Sequence, residues 1–225
     1  MNEIMEKGYK NAGYFFITLF AIVIFGFFKT YFGLIPHFNE HTTAIVHFHA
    51  SVLLLWIILL IVQPLLIRYK KLAAHRLLGR FTYVLVPLII FSFIAMMNKQ
   101  ISEEQAQKMS IGPIMKSLYM PFTDTLLFSA FYILAIKYKH NVAIHARYII
   151  VTGLVFIDAS LIRSLAIWFH VDFFYAALVS IAIVDLILIT LIYNDKLKGR
   201  NFKPFLISLM LFLVTQTGII ILNYH

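Results

Sequence analysis

The chain carries nine histidines and no cysteine. That bounds the chemistry open to it. Without thiols there is no disulfide, no thiolate nucleophile, no iron–sulfur cluster and no Cys-ligated zinc. Any metal must be held by His, Asp, Glu or Met. Two histidines open basic segments, His75-Arg76-Leu77-Leu78-Gly79-Arg80 and His145-Ala146-Arg147-Tyr148. Two imidazoles facing each other across a helix bundle can ligate a haem iron axially. They can also form half of a transition-metal site. His75 and His145 are therefore candidate ligands of a b-type haem. The plainer alternative is a pair of helix-start histidines at headgroup level, among Lys and Arg that bind anionic lipid. His47, His49 and His170 form a second set, the candidate ligands of a metal-dependent membrane enzyme. His37 and His41 have the His-x-x-x-His spacing of a zinc hydrolase, but they fall in a connection, where histidines are mostly solvated.

A polar stripe runs beside these histidines. His49, Trp56 and Gln63 are spaced by seven. At about 100° per residue they drift by only about 40° over two heptads, so they share one helix face. An imidazole, an indole and an amide on one face belong against protein rather than lipid. Asp124, Asp158, Arg163 and Gln216 also fall within apolar runs. An unpaired Arg there costs about 2.5–3.5 kcal/mol even on the lenient insertion scale. Asp124 and Asp158 are its natural counter-ions. The functional expectation is a polar cavity lined by His49, Trp56, Gln63, Asp124, Asp158, Arg163 and Gln216, taking a small anionic or protonatable ligand. The alternative is a structural Arg–Asp pair that fixes helix packing.

The elements that must position these groups are transmembrane helices. The 225 residues are 61% hydrophobic and 13% charged, against about 25% charged in a soluble domain. Seven apolar runs approach the roughly 20 residues that a bilayer crossing needs. They are about 14–31, 44–67, 77–97, 118–136, 148–169, 173–193 and 204–222. Pro87 lies inside the third and Pro121 near the start of the fourth. The expected fold is an all-α integral membrane protein, one domain over 1–225, built as a seven-helix transmembrane bundle. Helices two to five, about 44–170, hold nearly all the candidate residues and read as the functional core. The segment of about 98–116 is polar enough for a surface helix or loop.

The net charge of +9 does not imply a nucleic-acid partner, because the basic residues sit in the short gaps between apolar runs. Arg68, Lys70, Lys71, Arg76 and Arg80 fill the second gap, Lys137, Lys139 and Arg147 the fourth, and Lys196, Lys198, Arg200 and Lys203 the sixth. With Lys7 and Lys10 these fall on one side of an alternating path. The positive-inside rule puts the N-terminus in the cytoplasm and His225 outside. The N-terminus shows no small-residue cleavage pattern, so no removed signal peptide is expected.

These motifs resemble an uncharacterised family of bacterial multi-pass membrane proteins, a domain of unknown function. The residues that carry the likeness are His49 with Gln63, His75-Arg76 with Gly79-Arg80, His145 with Arg147 and Tyr148, and Arg163. Ala146 and Tyr148 depart from that family's basic residue and Trp. The resemblance implies a bacterial inner-membrane location and no function. A second likeness is to b-type membrane cytochromes, which hold haem between histidines on consecutive helices. It implies one bis-His haem at His75 and His145. His49 has no His on helix four to oppose it, only Met120, with His170 a further option.

Three functions stand on these residues. The first is a haem b redox protein exchanging electrons with quinone or metal. The second is a transporter or binding protein for a small ligand. The third is a His-ligated metal enzyme. A microbial rhodopsin is excluded, because the last run has no Lys for a retinal Schiff base. No phosphate-binding loop or serine elbow occurs.

Overall fold

The computed structural model of the chain describes residues 12–40 and 42–224. Lys7, Lys10, His41 and His225 lie outside them. Every regular element is helical. The helices are α1 (Ala12–Gly26), α2 (Ala44–Arg68), α3 (Leu72–Ala106), α4 (Ile111–Lys137), α5 (Val142–Phe169), α6 (Phe173–Leu197) and α7 (Lys203–Tyr224), with one short 3₁₀ turn at Phe32–Leu34. Six helices, α2 to α7, are long and apolar enough to cross a membrane. The protein is a multi-pass α-helical membrane protein.

The outward surface matches that solvent. On α3, Leu77, Val84 and Phe91 are each more than half exposed. Their heptad spacing makes one apolar stripe, which only hydrocarbon would leave unpenalised.

Two helices differ from expectation. The first was expected over 14–31, but α1 ends at Gly26 and continues as turns. Its 15 described helical residues span about 22 Å. The third was expected over 77–97, yet α3 runs on through the segment expected as a surface helix or loop. Polar i,i+4 pairs carry the extension: Lys99 with Glu103, and Gln100 Nε2 donating to Glu104 at 3.0 Å. Ser117 Oγ then donates to Glu104 at 2.9 Å and ties α4 to that end of α3. Hydropathy cannot see a helix that continues past the apolar slab on side-chain pairing.

The hub is α5. Two-thirds of its apolar window is buried (67%), against 28–39% for the other five long helices. It packs on α1, α4 and α6, and touches α2 and α7. Glycine permits the closest approach. A Cβ on Gly26 would meet the Ser160 carbonyl oxygen at 2.4 Å, and one on Gly153 would meet the Phe16 ring at 2.8 Å. Small residues let membrane helices gain backbone-level van der Waals contact, the main attraction available between them in lipid. Helix α1 thus contributes Phe16, Leu19 and Val23 to the hydrophobic core.

The α2–α3, α4–α5 and α6–α7 turns are short and carry the basic residues. The first two bring the end of α2, the start of α3, the end of α4 and the start of α5 around one cavity, with Phe16 of α1. We call this the basic end.

Candidate functional site

The cavity at the basic end gathers residues from five helices, α1 to α5. Trp56 and Gln63 reach it from α2, His75 and Gly79 from α3, Tyr132 from α4 and His145 from α5. It measures about 130 Å³ and is partly open. Its wall is mostly apolar, and among the described residues no Asp, Glu, Lys or Arg lines it.

Local rules place each side chain. Asn141 N-caps α5, its Oδ1 accepting from the Ile144 N–H at 3.2 Å. One turn later His145 leans back onto α4. Its Nδ1 lies 2.8 Å from the Ala135 carbonyl, one of the last carbonyls of α4, which have no partner within their own helix. A carbonyl only accepts, so Nδ1 carries the proton and neutral His145 keeps Nε2 as a free acceptor. Gln63 bridges the α2–α3 hairpin, its Nε2 donating to the His75 carbonyl at 3.3 Å. Flipping that amide would set oxygen against oxygen, so the orientation is fixed. Trp56, 2% exposed, stands edge-on to Phe128 and Tyr132, with centroids 5.3 and 5.8 Å apart. Thr82 Oγ1 donates to the Gly79 carbonyl at 2.6 Å, so the Tyr132 hydroxyl donates to Thr82 across 2.8 Å.

What remains is the informative part. Four buried side-chain polar atoms among the described residues have no hydrogen-bond partner: Trp56 Nε1, Gln63 Oε1, His75 Nδ1 and Gln216 Oε1. Three of these residues, Trp56, Gln63 and His75, line this one cavity. Leaving such a group unmade costs about 1–3 kcal/mol each. Gly79 adds a fourth sign, since a Cβ there would meet nothing within 4 Å.

The other residues of the expected polar set, His49, Asp124, Asp158, Arg163 and Gln216, do not line this cavity. His49 Nδ1 bonds Ser92 Oγ at 2.9 Å, and its ring stands edge-on to Phe93. Ser92 gives its own proton to the Ile89 carbonyl at 2.7 Å, so His49 is the donor. The upper third of the α2 stripe is thus spent on α3, while Trp56 and Gln63 reach the cavity. Asp158 accepts from Ser180 Oγ at 2.7 Å and faces α6. Gln216 Nε2 donates to Asp185 at 3.1 Å, joining α6 and α7. Arg163 is exposed and lies over the Phe27 ring, 4.8 Å from its centroid. Neither Asp124 nor Asp158 forms an ion pair with it among the described residues. The expected counter-ions are displaced by an aromatic face on α1's trailing turn, which shields the guanidinium by cation–π attraction.

The histidines expected around a metal do not assemble either. His47 Nδ1 is 3.0 Å from the Tyr31 hydroxyl, and its ring stands on Phe38. His170 is the exposed left-handed C-cap of α5, with φ 53°. His37 is exposed in the connection before α2. Met120 packs against the small cluster of Ile162, Ala176 and Ala177. Among the described residues no group of three or more His, Asp or Glu is placed to hold a metal ion.

One polar site escaped sequence reasoning. Arg147 and Asp195, expected as a topology charge and not singled out at all, form a buried ion pair. Arg147 Nε donates to Asp195 Oδ2 at 2.7 Å, and the side chains are 0% and 2% exposed. Arg147 also donates to the Ala143 carbonyl and lies over the Phe205 ring. The available signal was a lone Asp in a basic gap. No family model matches the chain, and no curated protein or solved structure does.

Proposed function

We propose that this protein binds a small, neutral, ring-sized molecule in the cavity between α2, α3, α4 and α5. The single observation behind this is that, among the described residues, three of the four side chains with an unpartnered buried polar atom line one mostly apolar cavity. Ligand sites have that character: apolar walls that supply contact, with a few polar groups that fix orientation. The room of about 130 Å³ suits one six-membered ring, since an apolar cavity of about 150 Å³ takes up benzene. The proposal includes seven membrane crossings, α1 being the first, in a bacterial inner membrane. The basic end then faces the cytoplasm.

The test uses the two tryptophans. In Trp168→Phe protein, Trp56 is the sole indole. Benzene or phenol titrated into that protein in nanodiscs should give a saturable change in Trp56 emission. Gly79→Leu, which builds into open space, should abolish it. An emission change that never saturates, or that survives Gly79→Leu, sinks the proposal.

A second reading has one observation in its favour. His145 Nδ1 is held by a carbonyl, the outer bond that orients a metal-ligating imidazole, and His75 lines the same cavity. A b-type haem between them would supply electron transfer, with quinone as the exchange partner. The room present takes one ring rather than a tetrapyrrole, so α3 and α5 would have to separate. A Soret band after haem-supplemented expression would favour it, and a colourless protein would end it.

A further inference from the structure

The hydrogen-bond inventory of the cavity wall points to a ligand class. We infer that the cavity is built for a neutral hydroxylated aromatic ring, a phenol or hydroquinone, that both gives and accepts hydrogen bonds. This rests on the small-ligand reading above and adds what that reading leaves open.

The inventory is nearly fixed. Trp56 Nε1 only donates, and it has no partner. Gln63 Oε1 only accepts, and it has none either. The amide cannot turn to relieve it, because Nε2 is committed to the His75 carbonyl. His145 commits Nδ1–H to the Ala135 carbonyl, which leaves Nε2 an acceptor. His75 Nδ1 is buried, unpartnered and able to take either role. The wall therefore offers one fixed donor, two fixed acceptors and one adaptable group.

Ligand types divide on that count. A hydrocarbon ring satisfies none of these groups. A purely accepting ring, such as the oxidised quinone form, can answer Trp56 but leaves Gln63 Oε1 without a proton. A ring hydroxyl offers both functions, an oxygen that can accept from an indole N–H and a proton that can go to an amide oxygen. A second hydroxyl has an imidazole acceptor to meet. Charge points the same way. Among the described residues no Lys or Arg lines the cavity, so none of them would pair a phenolate, carboxylate or phosphate there. The aromatic side chains of Phe16, Trp56 and Tyr132 complete a surface suited to a flat ring. A free phenolic compound and the reduced head group of a membrane quinone present the same chemistry here.

Isothermal titration calorimetry of the full chain in nanodiscs, with empty nanodiscs subtracted, separates these cases. The probes are hydroquinone and 1,4-difluorobenzene, matched in shape and differing in the ability to donate. Hydroquinone should bind about tenfold tighter or more, the penalty for leaving a buried acceptor unmade. Gln63→Leu should bring the ratio close to one while difluorobenzene still binds. Equal binding of the two probes to the unaltered protein overturns the ligand class and leaves the small-ligand reading standing. Absence of saturable heat from both overturns the two together. A retained preference in Gln63→Leu also overturns the assignment, because the acceptor would then lie elsewhere. If the preference holds, a hydroquinone bearing an isoprenoid tail tells the source. Tighter binding than the bare ring, beyond partition into empty discs, identifies a membrane quinol. Equal binding identifies a free phenol.

Discussion

Substituting Asp195→Asn should unfold the basic end more than any other single change of one atom type. The carboxylate is 2% exposed and its partner Arg147 is 0% exposed. Asn keeps the shape and an oxygen acceptor, and removes only the charge. A buried guanidinium deprived of its carboxylate typically costs about 3–5 kcal/mol. Two features bring the expectation to the lower part of that range. Arg147 keeps its bond to the Ala143 carbonyl at 2.7 Å and its place over the Phe205 ring. Arg200, at 4.0 Å from Asp195 and 21% exposed, is a looser second cation that the substitution also releases. We therefore expect a loss of about 3 kcal/mol, read as the shift in free energy of reversible unfolding in mixed micelles.

The double change Arg147→Met with Asp195→Leu is the sharper half of the test. Replacing a whole buried pair with apolar side chains is often neutral or stabilising by about 1–4 kcal/mol. The double variant should therefore be more stable than Asp195→Asn alone. A double-mutant cycle would then give a coupling well above the scatter of about 0.3–0.5 kcal/mol seen for independent sites. Two results would refute the reasoning. One is a loss below about 1 kcal/mol for Asp195→Asn, the scale of a solvated surface pair. The other is a double variant no better than the single.

Three further outcomes follow from the packing. Gly26→Ala drives a Cβ to 2.4 Å from the Ser160 carbonyl oxygen. Thermal unfolding should show a loss of about 1–3 kcal/mol, whereas Gly79→Ala, in open space, should lose none. Ser180→Ala removes the donor to Asp158, which is 6% exposed, and should cost about 1–3 kcal/mol; Ser180→Thr, which keeps a hydroxyl, should recover part of it. The absence of native cysteine gives a clean background for topology. A membrane-impermeant maleimide on intact cells should label His37→Cys and spare Lys198→Cys. The reverse pattern overturns the orientation, and labelling of both from outside overturns the alternating path.

The long apolar helices were legible in the sequence, and of the expected polar cavity Trp56 and Gln63 line the cavity at the basic end. Trp56 and Gln63 share a face by heptad spacing, and that face does turn inward. His75 and His145 were paired because both start helices at the basic end, and the fold brings both to one cavity. The volume between them was not legible, because it depends on the side chains that fill the bundle, such as Phe16 of α1. Nor were the partners that Asp158, Arg163 and Gln216 take on neighbouring elements. Their depths agree, but depth along a membrane normal leaves the azimuth open. Asp158 accepts from Ser180 of α6, and Gln216 donates to Asp185.

The two arginines of α5 show why azimuth decides. Arg147 looked like a headgroup-level charge and Arg163 like the anchor of a site. They are 16 residues apart, which at about 100° per residue puts them about 160° apart around the helix. They cannot serve one face. On the hub helix, most directions lead into protein, so the fate of each cation depends on which neighbour it meets. Arg147 meets α6, where Asp195 waits, and is sealed in as a pair. Arg163 meets the Phe27 ring beyond the end of α1 and stays exposed. The positive-inside rule counts charges by side and treats them as solvated. Applied to a central helix it therefore hides a charge buried at the very level where it expects an exposed one. A lone acidic residue in such a basic gap is the correction to look for.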